Sequence, residues 1–156
     1  MNGVRIGRCG WIFVVLLAVA LCGCGSSTVT KPPTSSCVNM GTAAYSGTED
    51  VTISSGSCPS YTGLSVVFNI VQASGNCSFT LVNSRVSGTT FSGTASSDST
   101  ITWSGSYPQS TGTVTITGVS ATLSDSLRTL KGYWTWTYSG NTQCTGKTTF
   151  NLTRQP

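Results

Sequence analysis

Histidine, the usual general base and a common metal ligand, is absent from this 156-residue chain. Acid–base or nucleophilic chemistry would have to come from four carboxylates, a reactive cysteine or an activated serine. Glu49 and Asp50 are neighbours in or beside a strand, so their side chains point to opposite faces and do not converge. Asp98 and Asp125 each stand between serines, which is turn chemistry. All four read as solvated or turn carboxylates. Serines are plentiful, but no base stands out beside them, and nothing singles out Lys131 or Lys147 for that role. The residue types therefore predict a non-enzymatic protein without a cofactor.

Cysteine is the other reactive type. Beyond the first two dozen residues there are four: Cys37, Cys58, Cys77 and Cys144. Metal-binding thiolates usually come in pairs two to four residues apart, a spacing these lack, and no His is available to complete a zinc set. An even number of scattered cysteines in a small exported domain predicts two disulfides instead. If strands simply alternate direction, Cys37, Cys58 and Cys144 fall toward one end of the fold and Cys77 toward the other. That leaves the connectivity open.

The aromatic residues Trp103, Tyr107, Trp134, Trp136 and Tyr138 are the candidate binding set. Large rings on one strand face either fill a core or line an interior or rim that stacks on a sugar, an apolar ligand or a partner's side chain.

The elements that must position these residues show period-two alternation broken by Gly, Asn and Ser clusters. Val51 and Ile53 alternate with Thr52 and Ser54; Leu64, Val66, Phe68 and Ile70 share one face. Ala73-Ser74-Gly75-Asn76 makes a hairpin turn, and Cys77, Phe79 and Leu81 continue the alternation. Ile101 and Trp103, Val114 and Ile116, then Trp134, Trp136 and Tyr138, and last Phe150 and Leu152 oppose Thr- and Ser-rich faces. Helical spacing is confined to Leu123–Leu130. A large residue precedes Ser-Gly at Tyr45, Val86, Phe91, Trp103 and Tyr138, which predicts bulges or bends at the following glycines.

An antiparallel sheet with one apolar and one hydroxyl face must bury the apolar face against itself, and closure also removes free edges. The expected fold is all-β: an antiparallel up-and-down barrel of about eight or nine short strands, with a β-sandwich as the alternative. In this style of composition the chain resembles avidin-like and lipocalin-like barrels, and bacterial lipoproteins with a Ser-Gly-Thr idiom. No binding residue carries over from that resemblance.

The N-terminus reads as an address. Arg5 and Arg8 precede an apolar run, Val14-Val15-Leu16-Leu17-Ala18-Val19-Ala20-Leu21, that is shorter than the roughly twenty residues a bilayer span needs. Leu21-Cys22-Gly23-Cys24 resembles the lipobox of bacterial lipoproteins. The resemblance implies cleavage before a diacylated Cys24. Cys22 is the poorer candidate because bulky Leu21 precedes it. Residues 1–23 are then a lipoprotein signal, 24–36 a lipidated cysteine and flexible tether, and 37–156 one all-β domain. The membrane is the expected partner through the lipid anchor, in the cell envelope. Gly25, where Asp would retain such a protein at the inner membrane, implies outer-membrane sorting if the host is Gram-negative. A formal net charge of +4, two of it from Arg5 and Arg8, with no basic stripe, speaks against nucleic acid. The expected function is a lipid-anchored envelope domain that binds a small apolar or glycan ligand. The alternative is an interaction protein similar in architecture to lipid-anchored barrels that inhibit hydrolases, presenting Pro59-Ser60-Tyr61 or Tyr107-Pro108-Gln109.

Overall fold

The structure, a computed structural model, describes residues 36–156. Cys24, the signal and nearly all of the expected tether lie outside the described residues. Nine strands follow in order: β1 (Thr42–Ser55), β2 (Tyr61–Gln72), β3 (Ser78–Asn83), β4 (Phe91–Ala95), β5 (Thr100–Ser104), β6 (Ser106–Gln109), β7 (Gly112–Ser124), β8 (Thr129–Ser139) and β9 (Gln143–Arg154). All pairings are antiparallel. β1 to β5 form a meander, β9 pairs with β1, and a β5–β7 contact closes the ring. The result is an eight-stranded up-and-down barrel with β6 as an extra strand along β7.

Closure is uneven. β1 and β9 share a long ladder from Tyr45–Arg154 to Ser55–Thr145, whereas β5 meets β7 only at Thr100–Thr122 and Ile101–Ala121. Gly105 then takes a φ of 145°, a conformation L side chains rarely adopt, and the chain re-pairs with β7 as β6 from Ser106–Thr115 onward. β7 carries a bulge between Ile116 and Gly118. The inserted residue shifts the inward parity from Val114 and Ile116 to Val119, Ala121 and Leu123.

Alternate residues of each strand face inward, so the core collects Val66, Phe68 and Ile70 from β2, Trp134, Trp136 and Tyr138 from β8, and Phe150 and Leu152 from β9. The outward face is largely Ser and Thr, with Tyr61, Val71, Val82 and Tyr133 exposed among them. Gly93 and Gly146 face inward beneath rings. A Cβ on Gly146 would lie 2.3 Å from Trp136 Cζ2, and one on Gly93 would lie 2.3 Å from Phe79 Cζ.

One sequence ambiguity is resolved here and one expectation fails. Leu123–Leu130 is a hairpin: Leu123 and Leu130 pair across β7 and β8, and Asp125, Ser126 and Leu127 all take positive φ. The disulfides are Cys37–Cys77 and Cys58–Cys144. Cys37 precedes β1 and Cys58 follows it, so they lie at opposite ends of the barrel, not at the same one. The first strand starts at Thr42, nine residues before the alternation at Val51, so the chain crosses the barrel once between Cys37 and Cys58. Of the Ser-Gly sites, Gly105 makes the expected bend, and Gly88 and Gly140 lie in turns. Gly47 and Gly93 sit in unbroken strands.

Gly93→Ala should lower stability by about 1–3 kcal/mol through overpacking, read as a drop in Tm. An unchanged Tm would mean Phe79 does not lie over this glycine.

Candidate functional site

The strands bring four of the five candidate aromatics into the interior. Trp103, Trp134, Trp136 and Tyr138 are all buried. Trp103 and Trp134 join Phe68 and Phe150 in a cluster whose six pairwise ring distances run from 5.4 to 5.9 Å. Such contacts favour edge and tilted packing and add to the burial of the rings themselves. Trp136 donates its Nε1–H to Thr148 Oγ1 at 3.0 Å. The Tyr138 hydroxyl lies 2.9 Å from Thr111 Oγ1 beside Asn141. Only about 10 Å³ of free interior remains beside this cluster, room for about one water molecule. The barrel is filled.

Tyr107 differs from the other four. It is half-buried on β6, edge-on to Phe91 at 6.1 Å, at the end of the barrel that carries the Cys58–Cys144 bridge. That end also contains a group sequence reasoning misplaced. Glu49 is not a solvated carboxylate: its side chain is 5% exposed, and its Oε1 accepts from Arg85 Nε at 2.9 Å. Its cross-strand neighbours are Leu64 and Phe150. The expectation that Glu49 and Asp50 point to opposite faces does hold, since exposed Asp50 accepts the Gly63 N–H at 2.7 Å. Asp98 and Asp125 keep their turn roles, accepting from Thr100 N–H and the Thr129 hydroxyl.

Arg85 is carried by the β3–β4 loop, residues 84–90. Asn83, buried at the end of β3, accepts the Arg85 N–H through Oδ1 at 2.8 Å and the Val86 N–H through its carbonyl at 3.0 Å. The Ser84 hydroxyl accepts the Val67 N–H, and Ser84 N–H returns to Val67 O. These bonds aim Arg85 at Glu49 and turn Val86 into the interior. Burial raises the Glu49 pKa to about 7 and outweighs the opposing pull of Arg85. Burial, and then the nearby Glu49, push Tyr107 up to about 12, so its phenol stays protonated.

The opposite end is closed differently. Buried Gln72 accepts the Met40 N–H and donates to Val38 O and Asn76 O, next to the Cys37–Cys77 bridge. Tyr45 donates its hydroxyl to Leu127 O at 3.0 Å. The four cysteines are thus used up in bridges and supply no thiolate ligands. Among the described residues no three His, Cys, Asp or Glu side chains gather as a metal set.

Because Glu49 holds its proton more tightly folded than unfolded, its contribution is most favourable below the unfolded value near 4.5 and is lost as pH rises to about 7. The loss is about 3 kcal/mol. Wild-type Tm should be lower at about pH 7.5 than at about pH 5, and Glu49→Gln should flatten that slope; an equal slope in both would place the titration elsewhere. Nothing outside the chain supplies a role for this pair: no protein-family model matches the sequence, and neither does any curated protein or solved structure.

Proposed function

We propose that this chain is an exported, lipid-anchored protein of the cell envelope whose barrel is a non-enzymatic binding domain. The observation that carries the reading is the pair of disulfides. They join residues 40 and 86 positions apart, one at each end of the barrel. Structural bridges of this kind form and persist in oxidising compartments outside the cytosol. The signal-like N-terminus and the lipobox resemblance at Cys24 point the same way. The main chain enters the barrel at the Cys37–Cys77 end. In a Gram-negative host Gly25 favours the outer membrane.

Binding of a small apolar or glycan ligand is the primary reading. With the interior filled, the ligand must meet the outer surface or the mouth, or enter by displacing something. A specific observation also favours the partner reading. Tyr61, the first residue of β2, is 48% exposed and follows Pro59 and Ser60 of the loop fixed by Cys58. A loop ordered before binding loses less entropy on contact.

Cys24→Ser should move the mature chain from the membrane to the soluble fraction. If fractionation still finds it in the membrane, the lipid anchor is wrong. Native mass spectrometry of the chain purified from its membrane should show a retained small-molecule adduct under the ligand reading. Under the partner reading, Tyr61→Ala should abolish inhibition of a peptidoglycan-cleaving hydrolase without lowering Tm, and inhibition that survives the substitution removes that loop from consideration.

A further inference from the structure

Glu49 and Arg85 form the one ion pair among the described residues, and its two members stand in different surroundings. Glu49 is 5% exposed on β1, while Arg85 is 40% exposed on the β3–β4 loop. Arg85 is the only counter-charge the carboxylate meets. Its register partners on β2 and β9 are Leu64 and Phe150, neither of which carries charge. From β6 comes Tyr107, whose phenol stays neutral, and Asp50 lies on the other face of β1, bonded to Gly63 N–H.

The β3–β4 loop leans on this pair because its backbone is secured at one end only. Hydrogen bonds tie Ser84 to Val67, and the Arg85 and Val86 N–H groups to Asn83. Among the described residues, none reaches residues 87–90, and Ser87, Gly88 and Thr90 are exposed. Two side chains add the remaining hold: Arg85 on Glu49, and Val86 in the core.

A proton on Glu49 removes the charge that draws Arg85 inward. The guanidinium keeps its own charge and has water within reach, so the outward position is then favoured. Burial makes that proton available near neutrality, since it raises Glu49 to about 7 against the opposing pull of Arg85.

We propose that the Glu49–Arg85 pair is a pH-sensitive switch: protonation of Glu49 releases Arg85 and loosens the β3–β4 loop, and deprotonation draws both back. Its signature is that local and global order move in opposite directions. Acid relieves the barrel of a buried charge and favours the fold, while the same proton frees one loop. The switch needs neither a ligand nor a membrane anchor and stands apart from both binding readings.

Trypsin cuts after a basic side chain that must first enter its own pocket, so cleavage of the Arg85–Val86 bond reports whether Arg85 has left Glu49. The substrate is the full chain as its host makes it, with both disulfides intact. Dividing each rate by that on a free arginine peptide removes the protease's own pH dependence. Corrected cleavage after Arg85 should be about tenfold faster at about pH 6 than at about pH 8.5, following the protonated fraction of Glu49. Glu49→Gln, neutral at every pH, should be cut at the fast rate throughout. Cleavage after Arg128, exposed in the β7–β8 turn, should not change.

Equal corrected rates after Arg85 at the two pH values overturn the switch. A pH step that survives in Glu49→Gln overturns it too, since the proton would then sit elsewhere. Parallel acceleration after Arg85 and Arg128 makes the change global and has the same result. Should Glu49→Gln fail to fold, the wild type decides. Glu49 is the chain's one glutamate, so a carboxyl carbon-13 label on glutamate gives a single resonance. Its titration midpoint must coincide with the cleavage midpoint, and separate midpoints overturn the proposal.

Discussion

Four aromatic rings, each touching the other three, set the cross-section of this barrel. Phe68 from β2, Trp103 from β5, Trp134 from β8 and Phe150 from β9 meet from different sides of the wall. Protein interiors pack at crystal-like density, so rings of this size leave no room for a second layer except where the wall recedes. It recedes at glycines. Gly93 gives Phe79 its place and Gly146 gives Trp136 its place. Large rings on some strands thus require missing side chains on their neighbours, and together they make a solid barrel. Whatever the protein recognises must be met at its surface or its mouth, or must displace part of this packing.

Much of this was legible in the sequence because a half-buried strand repeats every two residues. Trp134, Trp136 and Tyr138 advertise their shared inward face directly. Among the described residues, the absence of helix, the antiparallel hairpins and the use of the four cysteines in bridges follow from local signals. What was hidden depended on long-range partners or on weak alternation. Thr42 to Asp50 forms most of β1, yet its inward residues are Ala43, Tyr45, Gly47 and Glu49, too mixed a set to read as apolar. Missing that stretch reversed the end assigned to Cys37. Leu123 and Leu130 imitate helical spacing because a tight hairpin happens to place two cross-strand partners seven apart.

Glu49 shows the same limit at the site. Its parity with Val51 and Ile53 points it inward, and that signal was present. Its counter-charge is Arg85, on a loop that sequence distance does not connect to β1, and a carboxylate without a visible partner reads most naturally as solvated. Its second carboxylate oxygen stays unpaired, one of two buried side-chain atoms among the described residues without a partner, the other being the Trp134 indole N–H. Elsewhere the polar interior is well satisfied. Gln72 alone makes three hydrogen bonds at the opposite end.

The uneven closure of the ring has a temporal consequence. A chain made from its N-terminus offers β1 to β5 first, and that meander can form from neighbours while the rest is still unmade. Its first edge, β1, has no lasting partner until β9 arrives, since their ladder joins the two extremes of the domain. The short β5–β7 contact is too slight to hold the cylinder by itself. The Cys37–Cys77 bridge can therefore be oxidised early, on half a sheet. Cys58 must stay a thiol until residue 144 has emerged, and β9 decides whether the sheet shuts or presents an open edge to its neighbours.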